Sequence, residues 1–269
     1  MTTPLASQVL REKIRTGAFD ANTSGQAMGF VQANLVVVPQ QYAFDFLLFC
    51  QRNPKPCPLL EVIEAGSVEP RRLAPGADIR TDVPRYRVFR NGEMVGEQTD
   101  VRDIWQEDFV SFLLGCSFSF ELPLIEAGLE VRNVTCGVNV PMFRTNIPTR
   151  PAGPFHGPMV VSMRPFTPGD AIKATLITGE LPEVHGAPIH SGDPAAIGIH
   201  DLSQPAYGDP VTVEAGESPM FWACGVTPQE VLLNAKLPIA ITHAPGYMFV
   251  SDLKEDQIPW LRESVRDDL

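Results

Sequence analysis

Phe221-Trp222-Ala223-Cys224-Gly225-Val226-Thr227-Pro228-Gln229-Glu230 is the stretch on which the fold class turns. Pro219 to Cys224 is a short apolar run stopped by a glycine, the mark of a buried strand. Thr227-x-x-Glu230, with Pro228 at the first helical position, is a capping box and predicts a helix start. A strand that runs straight into a helix points to α/β or α+β packing.

The pattern extends in both directions. Downstream, Ile239 to Thr242 and Tyr247 to Val250 read as strands split by His243-Ala244-Pro245-Gly246. Upstream, Met159 to Met163 and Val211 to Glu214 read as strands, and Asp170 to Thr178 as a helix capped by Asp170. In the first half, Ser7 to Arg15 is an amphipathic helix and Gln32 to Val38 leads into an apolar run. A helix beginning at Pro39 runs through Leu48, a strand covers Leu59 to Ile63, and Ile104 to Leu114 reads as a second amphipathic helix. Asn91-Gly92, between Arg85–Arg90 and Glu93–Thr99, predicts a hairpin with a type I′ turn. The expected class is α/β, a mixed-sheet core with a second, smaller α+β subdomain. The chain is read as one unit, 1–269, with subdomain A about 1–125 plus 206–269 and subdomain B about 126–205.

Composition narrows the function. The chain has 269 residues, 44% hydrophobic, with Lys+Arg 21 against Asp+Glu 32, a net charge of −11. So acidic a chain lacks the cationic surface that binding to a phosphate backbone requires, so no nucleic-acid partner is expected. No apolar run approaches the ~18 residues of a membrane span, and no signal peptide is visible. The expected setting is the cytoplasm, with the five cysteines reduced. The cysteines form no CxxC pair, and the chain carries no GxGxxG, Walker A, GxSxG or HExxH pattern. No metal and no cofactor are assigned. Asn133-Val134-Thr135 matches a glycosylation sequon and is read as chance.

All five histidines follow residue 155, in turns rich in glycine and proline. His185, His190 and Asp193 are candidates for general acid–base work, because a rigid turn presents side chains well. The same three suggest a metal-dependent hydratase as an alternative, although their spacing is not that of a known ligand motif. Cys116 follows the helix expected to end at Leu114, and Cys224 precedes the helix expected at Thr227, where a dipole favours the thiolate. The bland reading makes both small buried hydrophobes. Unpaired N–H groups around Thr227 would suit an oxyanion or carboxylate.

Several of these stretches together resemble one family. They are Thr23-Ser24-Gly25 with Gln32-Ala33-Asn34-Leu35, Gly115-Cys116-Ser117-Phe118 with Glu121, and Ser162-Met163-Arg164-Pro165. With them go His185 to Pro194, Phe221 to Gln229, and Thr242-His243-Ala244-Pro245-Gly246. The chain resembles, over almost its whole length, the hydro-lyase family of bacteria and fungi that is grouped with D-glutamate cyclase. That resemblance implies a two-part α/β architecture and a carbon–oxygen lyase acting on a small amino or carboxylic acid. The named relative closes D-glutamate to 5-oxo-D-proline with loss of water, which implies a place in amino-acid metabolism.

Roles follow from that chemistry. Arg164 would clamp a carboxylate, with Ser117, Thr227 and His243 as further substrate contacts. His185 or His190, oriented by Asp193, would take the ammonium proton. Cys116 and Cys224 are alternative nucleophiles, disfavoured because a thioester from an unactivated acid is uphill. Cys116, Arg164, His185, His190, Asp193, Cys224 and Thr227 are expected to meet in one pocket. The expected partner is a small acidic substrate, with a homodimer left open, and the non-catalytic alternative is a binding protein for 5-oxoproline or a similar acid.

Overall fold

Strand β1 (Phe30–Pro39) is buried at every residue but its first, as a strand flanked on both edges and covered on both faces must be. A computed structural model gives this arrangement and describes residues 4–258; the stretch read for a signal peptide begins outside them. β1 is preceded by α1 (Ala6–Arg15) and followed by α2 (Gln40–Arg52), β2 (Leu59–Ile63), β3 (Tyr86–Arg90), β4 (Glu93–Gln98) and β5 (Phe109–Gly115). Then come α3 (Glu121–Glu126), α4 (Arg132–Thr135), β6 (Met142–Pro148), β7 (Pro158–Phe166), α5 (Pro168–Gly179) and β8 (His190–Ser191). β9 (Ser218–Ala223), α6 (Thr227–Ala235), β10 (Ala240–His243) and β11 (Phe249–Lys254) complete the described chain.

Two sheets organise these elements. The larger has the order β2-β5-β1-β10-β3-β4, with β11 also paired to β1. The smaller has the order β6-β7-β9-β8. Every strand pairing in both is antiparallel. The expected class therefore holds, an α/β chain with a large sheet and a second, smaller unit. The small sheet takes β6, β7 and β8 from residues 142–191 and β9 from 218–223.

One face of the large sheet packs through Val31, Ala33, Leu35 and Val37 against Met220 and Trp222 of the small one. The other face, Val36, Val38, Phe112 and Leu114, is covered by Phe46 and Phe49 of α2 and by Val231 and Leu232 of α6. The outer face of the small sheet buries Phe143, Val161, Met163 and Phe221 under Ile197 and Ile199.

Four local expectations need correction. Ile104 to Leu114 is not a helix: a 3-10 turn at Arg102–Ile104 precedes β5, whose seven residues are all buried. β5 lies between β1 and β2, and a doubly covered strand is apolar throughout, so periodicity cannot separate it from a buried helix. Val211 to Glu214 joins no sheet; it is held as a loop by Arg132, which donates to Thr212 O at 2.8 Å and to the Glu217 carboxylate. The helix at 170 starts earlier, at Pro168, and its cap is Thr167, whose hydroxyl accepts from the Asp170 N–H at 3.3 Å. Thr227 is likewise not a cap but the first residue of α6. Its hydroxyl instead splices the helix to β7, donating to Cys224 O at 2.7 Å and accepting from the Val160 N–H at 3.0 Å. The Asn91-Gly92 hairpin forms as expected, with φ of 50° and 85°.

Candidate functional site

Residues two apart on β7 share a face, so Val160, Ser162 and Arg164 point one way and Val161 and Met163 the other. Arg164 is 1% exposed, and a buried guanidinium must be paired. Its Nη2 donates to Glu121 Oε1 at 2.6 Å and to Ser117 Oγ at 3.2 Å, and its Nη1 to Ser162 Oγ at 3.2 Å. Asn133 Nδ2 adds a second donor to Glu121 Oε1, at 3.0 Å. The guanidinium carbon lies 4.8 Å from the Phe120 ring centroid and 5.8 Å from that of Trp222, close enough for attraction to both rings. The sequon asparagine is thus a buried partner of Glu121.

Cys116 and Cys224 adjoin this hub in a small cluster with Met142, Val160 and Val226. The Phe118 N–H donates to Cys116 Sγ at 3.5 Å, and the Val226 N–H stabilises Cys224. Burial outweighs both donors: it pushes the Cys116 thiol far up and that of Cys224 to about 11. Both are therefore protonated at neutral pH, as thiols in a dry site should be. The Thr227 N–H is spent on Cys224 O at 3.0 Å.

His185 and His243 are buried and held neutral, each with its pKa lowered to about 4 by desolvation. His185 adopts φ 86°, a left-handed conformation uncommon for a side chain of this size, and its Nδ1 lies 2.6 Å from Lys55 O. His243 fills a gap in the large sheet. β10 pairs with Val36 and Val37 of β1, and β11 with residues 30–33, so the ladder lapses between them. There the Leu35 N–H donates to His243 Nδ1 at 3.1 Å. Its Nε2 is buried without a partner among the described residues.

The expected residues do not all converge. Cys116, Ser117, Arg164, Cys224 and Thr227 gather on one face of the small sheet, and His185 feels the Arg164 charge. His190 pairs with Phe221 in register and its ring lies against that of Phe221, on the opposite face. Its Nε2 meets Asp193 O at 2.7 Å, while the Asp193 carboxylate caps Ala195 N at 3.0 Å. Asp193 therefore orients His190 through its backbone and not its carboxylate.

A second polar group lies where the two sheets and α6 meet. Glu230, 7% exposed, accepts from the Tyr207 hydroxyl in a short bond and from Arg144 Nε at 2.8 Å. The Tyr207 ring is flanked by two guanidinium groups, Arg87 at 5.5 Å and Arg144 at 5.3 Å. Burial, then Glu230, pushes the Tyr207 hydroxyl up to about 12. Arg144 is half exposed and lines a cavity of about 270 Å³ together with His200, Asp201 and Gln204. Sequence reasoning missed this group because its members lie on β3, β6, a loop and α6; Arg144 drew notice only as a charge near the histidines, and Glu230 only as part of a cap. Among the described residues no group of three or more His, Cys, Asp or Glu is placed to hold a metal.

The model of the family described as D-glutamate cyclase matches residues 110–252, from β5 into β11. The chain belongs to the D-glutamate cyclase family. Similar proteins span nearly the same length. One from Geobacillus kaustophilus, named "Putative hydro-lyase", is 56% identical over 255 residues, covering 95% of this chain and 97% of its own. Relatives of the same name come from Stutzerimonas stutzeri, 56% identical over 94% of this chain and 96% of its own, and Jannaschia, 58% over 92% and 93%. The segment matched to the D-glutamate cyclase family contains both the Arg164 hub and three members of the group around Tyr207. No helix of the described residues is long and apolar enough to cross a membrane.

Proposed function

We propose that this chain is a hydro-lyase that cyclises D-glutamate to 5-oxo-D-proline with release of water. The observation that supports this reading is the family match over residues 110–252. In the reaction the α-nitrogen bonds to the carbon of the γ-carboxyl group, and one C–O bond of that carboxyl breaks. The ammonium gives up two protons and the departing oxygen takes two, so neither oxidant nor reductant is needed.

The half-exposed Arg144 is the cation best placed for an incoming carboxylate, which a guanidinium holds through charge-assisted bonds. His200, on the wall of the same cavity, is the base for the ammonium proton. The hydrogen-bonded Tyr207–Glu230 pair, tied to Arg144, holds a proton for the leaving oxygen. Arg164, whose two terminal nitrogens are held by Glu121, Ser117 and Ser162, then acts as a positioning residue that fixes this face of the small sheet.

The test is incubation of the pure protein with D- and L-amino acids and hydroxy acids, read by mass spectrometry as loss of one water. D-Glutamate is the expected substrate. Arg144→Ala should raise KM, and His200→Ala should lower kcat by about 10²–10⁴, the usual acid–base contribution. Turnover of none of these compounds would overturn the reading, and tight binding of 5-oxoproline without turnover would replace it with a binding protein.

A further inference from the structure

Helix α5 is built partly inside out. A surface helix normally turns its large apolar side chains to the core and its small or polar ones to water. In α5 the fully buried positions are Ala174 and Thr178, and Thr178 Oγ1 accepts from Trp222 Nε1 at 3.1 Å. Ala171 and Ile177 are half covered. Ile172 and Leu176, one turn apart, face outward at 64% and 66% exposure. The Thr167 cap and the buried face hold the helix in place, so these two side chains are presented on a fixed surface.

Beside them runs a groove of about 430 Å³. It lies between Ile172, Thr175 and Leu176 of α5 and Ser191 of β8, with the buried Met220 at its floor. β8 is the edge of the small sheet. None of the described residues that line the groove is ionisable. The two charges on α5, Asp170 and Lys173, answer each other at 3.2 Å. This is an uncharged face on a chain of net charge −11. A charged occupant would bury its charges here without counterparts, which is costly. Two copies of so acidic a chain repel one another, and an uncharged face is where they can meet. The face is also self-complementary, because it carries both the protruding pair Ile172 and Leu176 and the groove beside them. A two-fold contact needs that, since the same patch serves both sides. We propose that this face is the interface of a homodimer, in which Ile172 and Leu176 of each copy enter the groove of the other. This inference is independent of the reaction proposed above.

The experiment is sedimentation equilibrium of the full chain over about 1–100 µM, the range of a modest specific affinity. The parent should dimerise reversibly. Leu176→Glu sets like charges against each other at the contact and should weaken association by about 100-fold or more, with an unchanged circular dichroism spectrum. Ile172→Glu supplies the same test should Leu176→Glu not fold. Phe44→Glu adds the same charge at a side chain 73% exposed on α2, which covers the other face of the large sheet, and should dimerise as the parent does. A parent that stays monomeric up to about 100 µM, too weak for a specific interface of standard size, overturns the proposal and leaves the groove to an apolar small molecule or a different protein. So does undiminished association in Leu176→Glu and Ile172→Glu, or an equal loss in Phe44→Glu.

Discussion

Gly225 lies so close to Asn34 that a Cβ built on it would stand 2.0 Å from the Asn34 Nδ2. The amide it would strike donates to Gly115 O at 2.6 Å. Three pieces meet here: the centre of β1, the end of β5 and the turn between β9 and α6. The contact locks the small sheet to the large one. Gly225→Ala must push Asn34 off that carbonyl, so it should cost about 1–3 kcal/mol, as overpacking does. Urea unfolding measures it. In an Asn34→Ala background the obstacle is gone, and the same substitution should cost clearly less; equal cost in both backgrounds would dismiss the contact.

Arg164 and Glu121, 2.6 Å apart and almost fully buried, should behave as a pair whose halves cannot be removed singly. Arg164→Ala or Glu121→Ala leaves one buried charge without its partner, and each should lose about 3–5 kcal/mol. Arg164→Met with Glu121→Leu removes both charges while filling space, and should be more stable than either single variant. Additive losses in a double-mutant cycle would show that the two groups do not depend on one another.

Much of the fold was legible because local chemistry dictates it. Asn91-Gly92 satisfies a turn that needs positive φ at both positions, and the Thr227-Pro228 helix start and the β7 and β9 strands lie where their patterns put them. β5 was misread because burial on both faces erases the alternation by which a strand is recognised. The Arg164 hub was half visible: Ser117 and Arg164 stood out, but Asn133 looked like a sequon and Glu121 entered only through the family resemblance, with no role attached. Tyr207, Arg87 and Glu230 meet only through the packing of four separate segments, and no spacing along one chain encodes that. His190 and Asp193 looked like neighbours of His185, yet the two-residue alternation of β9 puts His190 on the far face.

Thiol reactivity should follow burial. Four of the five cysteines are buried and only Cys136 is exposed. With the Cys116 and Cys224 thiols pushed up by desolvation, neither supplies thiolate at neutral pH. Brief treatment of the native protein with iodoacetamide at pH 7.5 should therefore give a single adduct, on Cys136, by peptide mass spectrometry. Treatment in urea should label all five. Rapid native labelling of Cys224 would restore it as a candidate nucleophile.

Acid should weaken the fold through its two buried imidazoles. His185 and His243 are lowered from 6.5 to about 4 by burial. Above pH 6.5 both the folded and unfolded chains hold them neutral, and the fold bears no penalty. Between 6.5 and about 4 the unfolded chain takes up protons that the folded one refuses, so stability falls as pH falls. At its full extent this costs about 3 kcal/mol per histidine. Glu255, raised to about 8 by burial, acts oppositely, because the folded chain keeps its proton where the unfolded chain has lost it. That contribution is common to parent and variant and cancels in their difference. His185→Asn suits the left-handed backbone there, since asparagine tolerates positive φ, and His243→Asn removes the second imidazole. Urea unfolding at pH 7.5 and pH 5 should show the parent losing more stability on acidification than either variant. If parent and variants lose the same amount, neither histidine is held neutral by the fold.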